Sequence, residues 1–306
     1  MTSQHSAGAI ACTSEQMILG EGPRWDGRRG ELLRVDILAG RVYRDRVDHD
    51  GALIPVDSYQ VAGTVGAVAP VDGDEGWLLA AGRRFLHLAS DGSLRPVTDD
   101  VAPSGVRMND AACDPQGRFW AGTKADRAGG AALYRLDGDG HVEVVLEGLT
   151  ISNGLDWSPD GATMYLADSG PRTIRAFTFD PEFGTISDER VLVEVSSHVG
   201  APDGLTVDAG GDLWVAIWGG GRVHRYSPAG VLVQELLVPA EQTSSCAFAG
   251  PGMHRLYVTT ATEGWNDEQR RAEPGAGLVY RCDTDTTGRP SNPFRPDPTW
   301  WGTAAS

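Results

Sequence analysis

Ser152-Asn-Gly-Leu-Asp-Trp-Ser-Pro-Asp-Gly-Ala-Thr-Met-Tyr-Leu-Ala-Asp168 decides the fold, because it reads as one hairpin and then recurs along the chain. A polar start leads into a short apolar strand, an Asp/Pro/Gly turn, and a second apolar strand holding an aromatic; a two-stranded hairpin explains that order. The same grammar stands in Met108-Asn-Asp-Ala-Ala-Cys-Asp-Pro-Gln-Gly-Arg-Phe-Trp-Ala-Gly-Thr123 and in Pro202-Asp-Gly-Leu-Thr-Val-Asp-Ala-Gly-Gly-Asp-Leu-Trp-Val-Ala216. Weaker copies open at Gly20-Glu-Gly-Pro-Arg-Trp-Asp26, Val65-Gly-Ala-Val-Ala-Pro70 and Ser245-Cys-Ala-Phe-Ala249. With Glu21, Gly66, Asn109, Asn153, Asp203 and Ser244 taken as equivalent, the steps are 45, 43, 44, 50 and 41 residues. That is the length a four-stranded propeller blade uses.

The second half of each unit fits the same reading. Arg41–Asp45, Phe85–Ala89, Ala132–Leu136, Thr173–Phe179, Arg222–Ser227 and Leu278–Asp283 look like third strands. No long stretch sustains a 3.6-residue apolar period, so helix is expected to be scarce. Gly8–Thr13 is placed to lend a strand to the last blade and close the ring. The expectation is an all-β, six-bladed propeller formed by residues 1–306 as one domain, with a tail over 284–306. That tail is left with two readings, packing across one face or loose order, and its pair Trp300-Trp301 favours the first.

Composition narrows the partners. Twenty-six basic against 42 acidic residues give a net charge of −16, which repels nucleic acid and anionic lipid, so neither is expected as a partner. Cys12, Cys113, Cys246 and Cys282 are widely spaced, which argues against a zinc ribbon or a disulfide framework. Met1–Gln16 lacks the basic start and unbroken apolar core of a signal peptide, and nothing approaches a membrane span. A cytoplasmic protein is expected. The sequence carries no signal of oligomeric state.

The first strands of propeller blades line the central channel, so the six equivalent positions gather around one axis. Two carboxylates and two amides crowded there need a reason, because unpaired buried carboxylates are costly. A divalent cation supplies it: Glu21 and Asp203 balance its charge and the Asn153 side-chain carbonyl adds a neutral oxygen. Ca²⁺ suits this oxygen set best, with Mn²⁺, Zn²⁺, Fe²⁺ and Mg²⁺ compatible. No histidine joins the ring, and His198, His224 and His254 have no partner in spacing for a catalytic dyad.

Leu19-Gly-Glu-Gly-Pro-Arg-Trp-Asp26, Arg107-Met-Asn-Asp110, Ser152-Asn-Gly-Leu-Asp-Trp157, Pro202-Asp-Gly-Leu-Thr-Val-Asp208 and Tyr257-Val-Thr-Thr-Ala261 resemble the SMP-30/gluconolactonase (regucalcin-like) family, in order and at family spacing from Leu19 to Asp283. The resemblance implies metal ligands at Glu21, Asn153 and Asp203, and substrate contacts at Arg107 and Asn109. It also implies a sugar-binding acid near Asp126, in Gly122-Thr-Lys-Ala-Asp126. There the chain departs from the family: Lys124 stands where an apolar residue is common, and Asp126 is shorter than the usual Glu, which leaves the sugar preference open.

Together these readings predict a metal-dependent hydrolase that opens the lactone of a sugar acid, with Asp203 as general base and Arg107 and Asn109 holding ring hydroxyls or the developing oxyanion. Two alternatives stand beside it: hydrolysis of another lactone or an organophosphate ester on the same site, and a calcium-binding protein without turnover. Blander readings also exist. Glu21, Asn153 and Asp203 could be turn residues, and Arg107 could merely pair with a carboxylate at the channel mouth. Asp26, Asp114, Asp156 and Asp208 are read as turn residues. Trp25, Trp120, Trp157 and Trp214 are read as packing between blades.

Overall fold

In the third and fifth repeats the hairpin closes on a turn aspartate and a strand tryptophan that satisfy each other. In the computed structural model, which describes residues 8–304, Asp114 accepts from the Gln116 and Arg118 amides and, at 3.0 Å, from Trp120 Nε1 on the returning strand. Asp208 repeats the arrangement with Gly210, Asp212 and Trp214. A buried indole N–H so finds its acceptor, and the turn carboxylate is fully paired. Asp156 does not belong to this set. It lies on a strand and accepts from the Val207 amide at 2.7 Å, tying one blade to the next, while Ser158 occupies the turn position of that repeat.

Six four-stranded antiparallel sheets result. Their inner strands are Gly20–Asp26, Val65–Pro70, Val106–Cys113, Ser152–Trp157, Ala201–Val207 and Thr243–Ala249, and each touches the next around a closed circuit. This is the all-β, six-bladed propeller expected. Third strands start at Arg41, Arg84, Ala131, Thr173, Arg222 and Val279, each within one residue of the start read from sequence. Ile10–Ala11 pairs with the strand Val279–Asp283 and closes the ring between the chain's two ends. Between blades, Trp120, Trp157 and Phe179 meet edge to face at 5.7–5.9 Å, an interlock that buries aromatic area in the favoured geometry.

One irregularity positions the site. Every inner strand slips register against its neighbour at the equivalent place: Glu21/Arg24, Val65/Ala67, Met108/Ala111, Ser152/Leu155, Pro202/Leu205 and Thr243/Ser245. A bulge re-aims side chains that a regular pleat would send into the sheet. Within these bulges glycines follow Glu21, Asn153 and Asp203, and where the fourth, fifth and sixth inner strands press together they are needed. A Cβ added at Gly154 would strike the backbone of Gly204 and Leu205, and one at Gly204 would strike Ser245.

The tail crosses the far end of the channel. Ala209 donates to the Thr287 carbonyl, Arg289 reaches Asp156 and the Trp157 carbonyl, Phe294 exchanges backbone bonds with Pro70 and Asp72, and Trp301 Nε1 donates to Asp74 at 2.6 Å. A short helix, Pro298–Ala304, ends it. A second helix, Asp267–Ala272, carries an Asn266/Gln269 capping box. Met1–Ala7, part of the stretch read against a signal peptide, and the last two residues of the tail lie outside the described residues. Among the described residues no helix is long and apolar enough to cross a membrane.

Candidate functional site

Opposite the tail, a cavity of about 100 Å³ opens at the axis. Glu21, Arg107, Asn109, Asn153 and Asp203 line it, with Leu19, Lys124, Ile151, Ser169, Trp218 and Glu263. The bulges thus bring together five of the six residues singled out in the sequence. Asp126 is exposed and outside this lining, although close enough for its charge to act on Arg107. Of the six equivalent positions, Gly66 has no side chain. Ser244 is fully buried and donates to the Gly20 carbonyl, so it fastens the last blade to the first.

The amides are oriented by a hydrogen-bond chain pinned at both ends. Arg107 Nη1 donates to Asn109 Oδ1 at 2.6 Å, and Asn109 Nδ2 donates to Asn153 Oδ1 at 2.6 Å and to the Ser152 carbonyl at 2.9 Å. Asn153 Nδ2 then donates to Ser169 Oγ, whose hydroxyl donates to the Pro202 carbonyl, each at 2.6 Å. A guanidinium only donates and a proline carbonyl only accepts, so the direction of every bond between them is fixed. Asn153 Oδ1 therefore faces Asn109 with a second lone pair to spare. Arg107 pairs with no carboxylate within ion-pair distance among the described residues; its Nη1 is spent on Asn109 and the Met108 carbonyl.

The carboxylates are left without such partners. Glu21 and Asp203 are each 5 % exposed, and neither makes an ion pair among the described residues. Glu21 Oε2 accepts one bond, from the Gly22 amide, and Asp203 Oδ1 is buried with none. Burial first, then the charges of Asp203 and Asp110, holds the Glu21 carboxyl well above the usual carboxylate range. Burial and then Asp110 do the same to Asp203. Asp110 lies below them, 3.7 Å from Arg24. Two unneutralised carboxylates and an amide oxygen around one point fit a hard divalent cation, which would offset the burial cost and occupy the orphaned Asp203 oxygen.

Sequence reasoning missed Ser169, Trp218 and Glu263. Lys124 was noted only as a departure. The signal was available in the register: Lys124 pairs with Arg107, and Trp218 with Ala201, so the ends of the second strands form an outer ring above the inner one.

Residues 19–262 match the sequence model of the SMP-30/Gluconolactonase/LRE-like region. The chain belongs to this family. Its SMP-30/gluconolactonase relatives include the pentonolactonase XacC of Haloferax volcanii, 35% identical over 285 residues that make up 91% of this chain and 94% of that one. Regucalcin of Xenopus laevis is 36% identical over 284 residues, 89% of this chain and 93% of its own. Among solved structures, a calcium-binding regucalcin from Agrobacterium tumefaciens superposes with a TM-score of 0.87 at 28% identity, covering 94% of this chain and 97% of that one.

Proposed function

We propose that the chain is a metal-dependent lactonase that opens a sugar-acid lactone to the free acid. One observation carries this: Glu21, Asn153 and Asp203 meet at a cavity beside Arg107 and Asn109, with Asp203 Oδ1 buried and unpartnered. Family membership and the lactonase relative support it from outside the site.

Glu21, Asn153 and Asp203 would hold the cation, Ca²⁺ being the ion their oxygens suit best. When bound it supplies Lewis acidity toward the lactone carbonyl and neutralises the buried carboxylates. Asp203 Oδ2, the carboxylate oxygen the cation would leave free, takes a proton from a water whose oxygen attacks the carbonyl carbon. Arg107, through Nε and Nη2, faces the oxygen on which charge develops, while the second lone pair of Asn109 Oδ1 accepts a sugar hydroxyl. The bond between the carbonyl carbon and the ring oxygen then breaks, the ring oxygen takes the proton back and becomes a hydroxyl, and the acid leaves as its carboxylate with release of one proton. The partner is thus a small lactone.

Proton release at near-neutral pH tests the reading. Metal-stripped protein is given Ca²⁺, Mn²⁺, Zn²⁺ or Fe²⁺ with glucono-, xylono- and arabinonolactones and with dihydrocoumarin. Metal-restored turnover that falls by roughly a hundredfold or more in Asp203→Asn is expected. Ca²⁺ binding with no turnover on any lactone sinks the lactonase and leaves a calcium-binding protein; turnover on dihydrocoumarin alone moves the substrate to non-sugar lactones.

A further inference from the structure

Above the proposed ligands, the mouth of the cavity carries a charge arrangement that opening a neutral lactone does not require. Arg107 and Lys124 are direct partners across two adjacent strands of the third blade, so both cations rise from one rung of the same sheet. Like charges so placed repel, and the pair is stable only where anions face it. The facing anion comes from the opposite side of the ring. Glu263, in the loop after the second strand of the sixth blade, lies with Oε1 3.7 Å from Lys124 Nζ. Its backbone is held on both sides by one amide: Glu263 N donates to Gln242 Oε1 at 2.7 Å, and Gln242 Nε2 donates to the Glu263 carbonyl at 2.9 Å. Lys124 is tied through its backbone to Ile151. The ion pair therefore bridges the mouth between two fixed supports.

Its geometry leaves positive charge in excess. A separation of 3.7 Å exceeds the 2.7–3.2 Å of a hydrogen bond, so the ammonium's donors are not used up by Glu263. Arg107 commits Nη1 alone, and among the described residues its Nε and Nη2 carry no hydrogen bond. Glu263 is the largest of the attractive charges acting on Arg107, ahead of Glu21, Asp203 and Asp126, and it is also the carboxylate that faces Lys124. Within the whole lining, three carboxylates stand against two cations; a divalent ion bound to Glu21 and Asp203 turns that balance positive.

We propose that Lys124, with Arg107 beside it and Glu263 as a displaceable counter-ion, makes this site select sugar lactones that keep a free carboxylate on the side chain of the ring. The proposal rests on the lactonase reading. Such a substrate places its reacting carbonyl at the axis and its second acid at the mouth, where planar guanidinium and ammonium donors meet it. The net charge of −16 repels anions at long range, so selection acts at close quarters and appears in KM.

The test compares galactono-1,4-lactone with galactaro-1,4-lactone, which share ring and stereochemistry and differ by hydroxymethyl against carboxylate at carbon 6. Ca²⁺-loaded wild-type protein should favour the acidic lactone in kcat/KM by about tenfold or more. Lys124→Met should bring the ratio near one through KM, and Glu263→Gln should raise it. Equal kcat/KM for the two in the wild type, or a Lys124→Met variant that lowers both alike, overturns the proposal. If no lactone is opened, these two and the earlier panel alike, the lactonase reading fails separately. Calorimetric binding of galactarate against galactonate then decides: tighter diacid binding that Lys124→Met removes upholds charge selection, and equal affinities sink it.

Discussion

Ser169 is small and is not one of the proposed ligands, yet the direction of the Asn153 amide depends on it. Its hydroxyl is committed to the Pro202 carbonyl, which makes its oxygen the acceptor for Asn153 Nδ2. Ser169→Ala removes that acceptor and frees the amide to rotate, and partners of this kind typically govern metal affinity by ten- to a hundredfold. Calorimetric titration should find Ca²⁺ binding weakened by roughly tenfold, with Ser169→Thr restoring most of it because the hydroxyl returns; unchanged affinity in Ser169→Ala would remove Ser169 from the site. Glu21, Asn109, Asn153 and Asp203 were legible because they recur at one place in a repeat and are too polar for a channel lining. Ser169 and Glu263 were not, since neither belongs to the repeat's first strand and a serine or glutamate near a strand end is ordinary in any sequence. Asp126, which the family resemblance implied, follows the last residue of the strand Phe119–Ala125 and lies exposed, outside the cavity lining.

At the scale of the element, the inner strands carry both the fold and the site. Hairpins were readable from Asp-turn-Trp recurrence, and the third strands from apolar runs after a second turn. The six register slips were not, because the inner strands are buried on both faces and show no apolar/polar alternation that an inserted residue could interrupt. Their trace was the glycine after Glu21, Asn153 and Asp203, which reads as a turn until the neighbouring inner strand is seen pressed against it. Gly154→Ala tests this directly. Its Cβ would meet backbone of the next inner strand, 2.7 Å from the Gly204 carbonyl carbon, where nothing can move aside cheaply. Overpacking of this kind costs about 2 kcal/mol, so thermal unfolding should begin roughly 4 °C lower, with Ca²⁺ affinity falling as well because Asn153 moves with its strand. A variant as stable as the parent would mean that these inner strands are packed more loosely than the contacts imply. The helices escaped reading for a different reason. The Asn266/Gln269 capping box was present, but Asp267–Ala272 buries no residue and offers no apolar period.

Across the whole molecule, the proposed cation would join the first blade to the fourth and fifth, which are not its neighbours in the ring. Its ligands come from the first, fourth and fifth blades, and the ring itself is closed by two residues, Ile10–Ala11. Without the ion, Glu21 and Asp203 are buried carboxyls whose protonation is favoured in the folded state, by burial first and by neighbouring acids second. The unfolded chain loses those protons near the ordinary carboxylate value, while the folded one keeps them to higher pH. Between the two values the folded state binds more protons, so the stability of the metal-free protein falls as pH rises. Ca²⁺ reverses this contribution, since it binds the ionised carboxylates of the folded ring and no assembled site exists in the unfolded chain. Metal-free protein should accordingly melt at a lower temperature at pH 7.5 than at pH 5.5. The increase in Tm on adding Ca²⁺ at about a hundred times its dissociation constant, worth about 2.7 kcal/mol, should be restored in full at the higher pH and shrink toward zero at the lower one as protons compete for the same oxygens. Glu21→Gln separates this from a general effect of pH on an acidic surface: it removes one buried charge, should flatten the metal-free pH dependence, and should weaken the Ca²⁺ response at both pH values. A metal-free Tm that rises between pH 5.5 and 7.5, or a Ca²⁺ shift indifferent to both pH and Glu21, would place the ion elsewhere than on these two carboxylates.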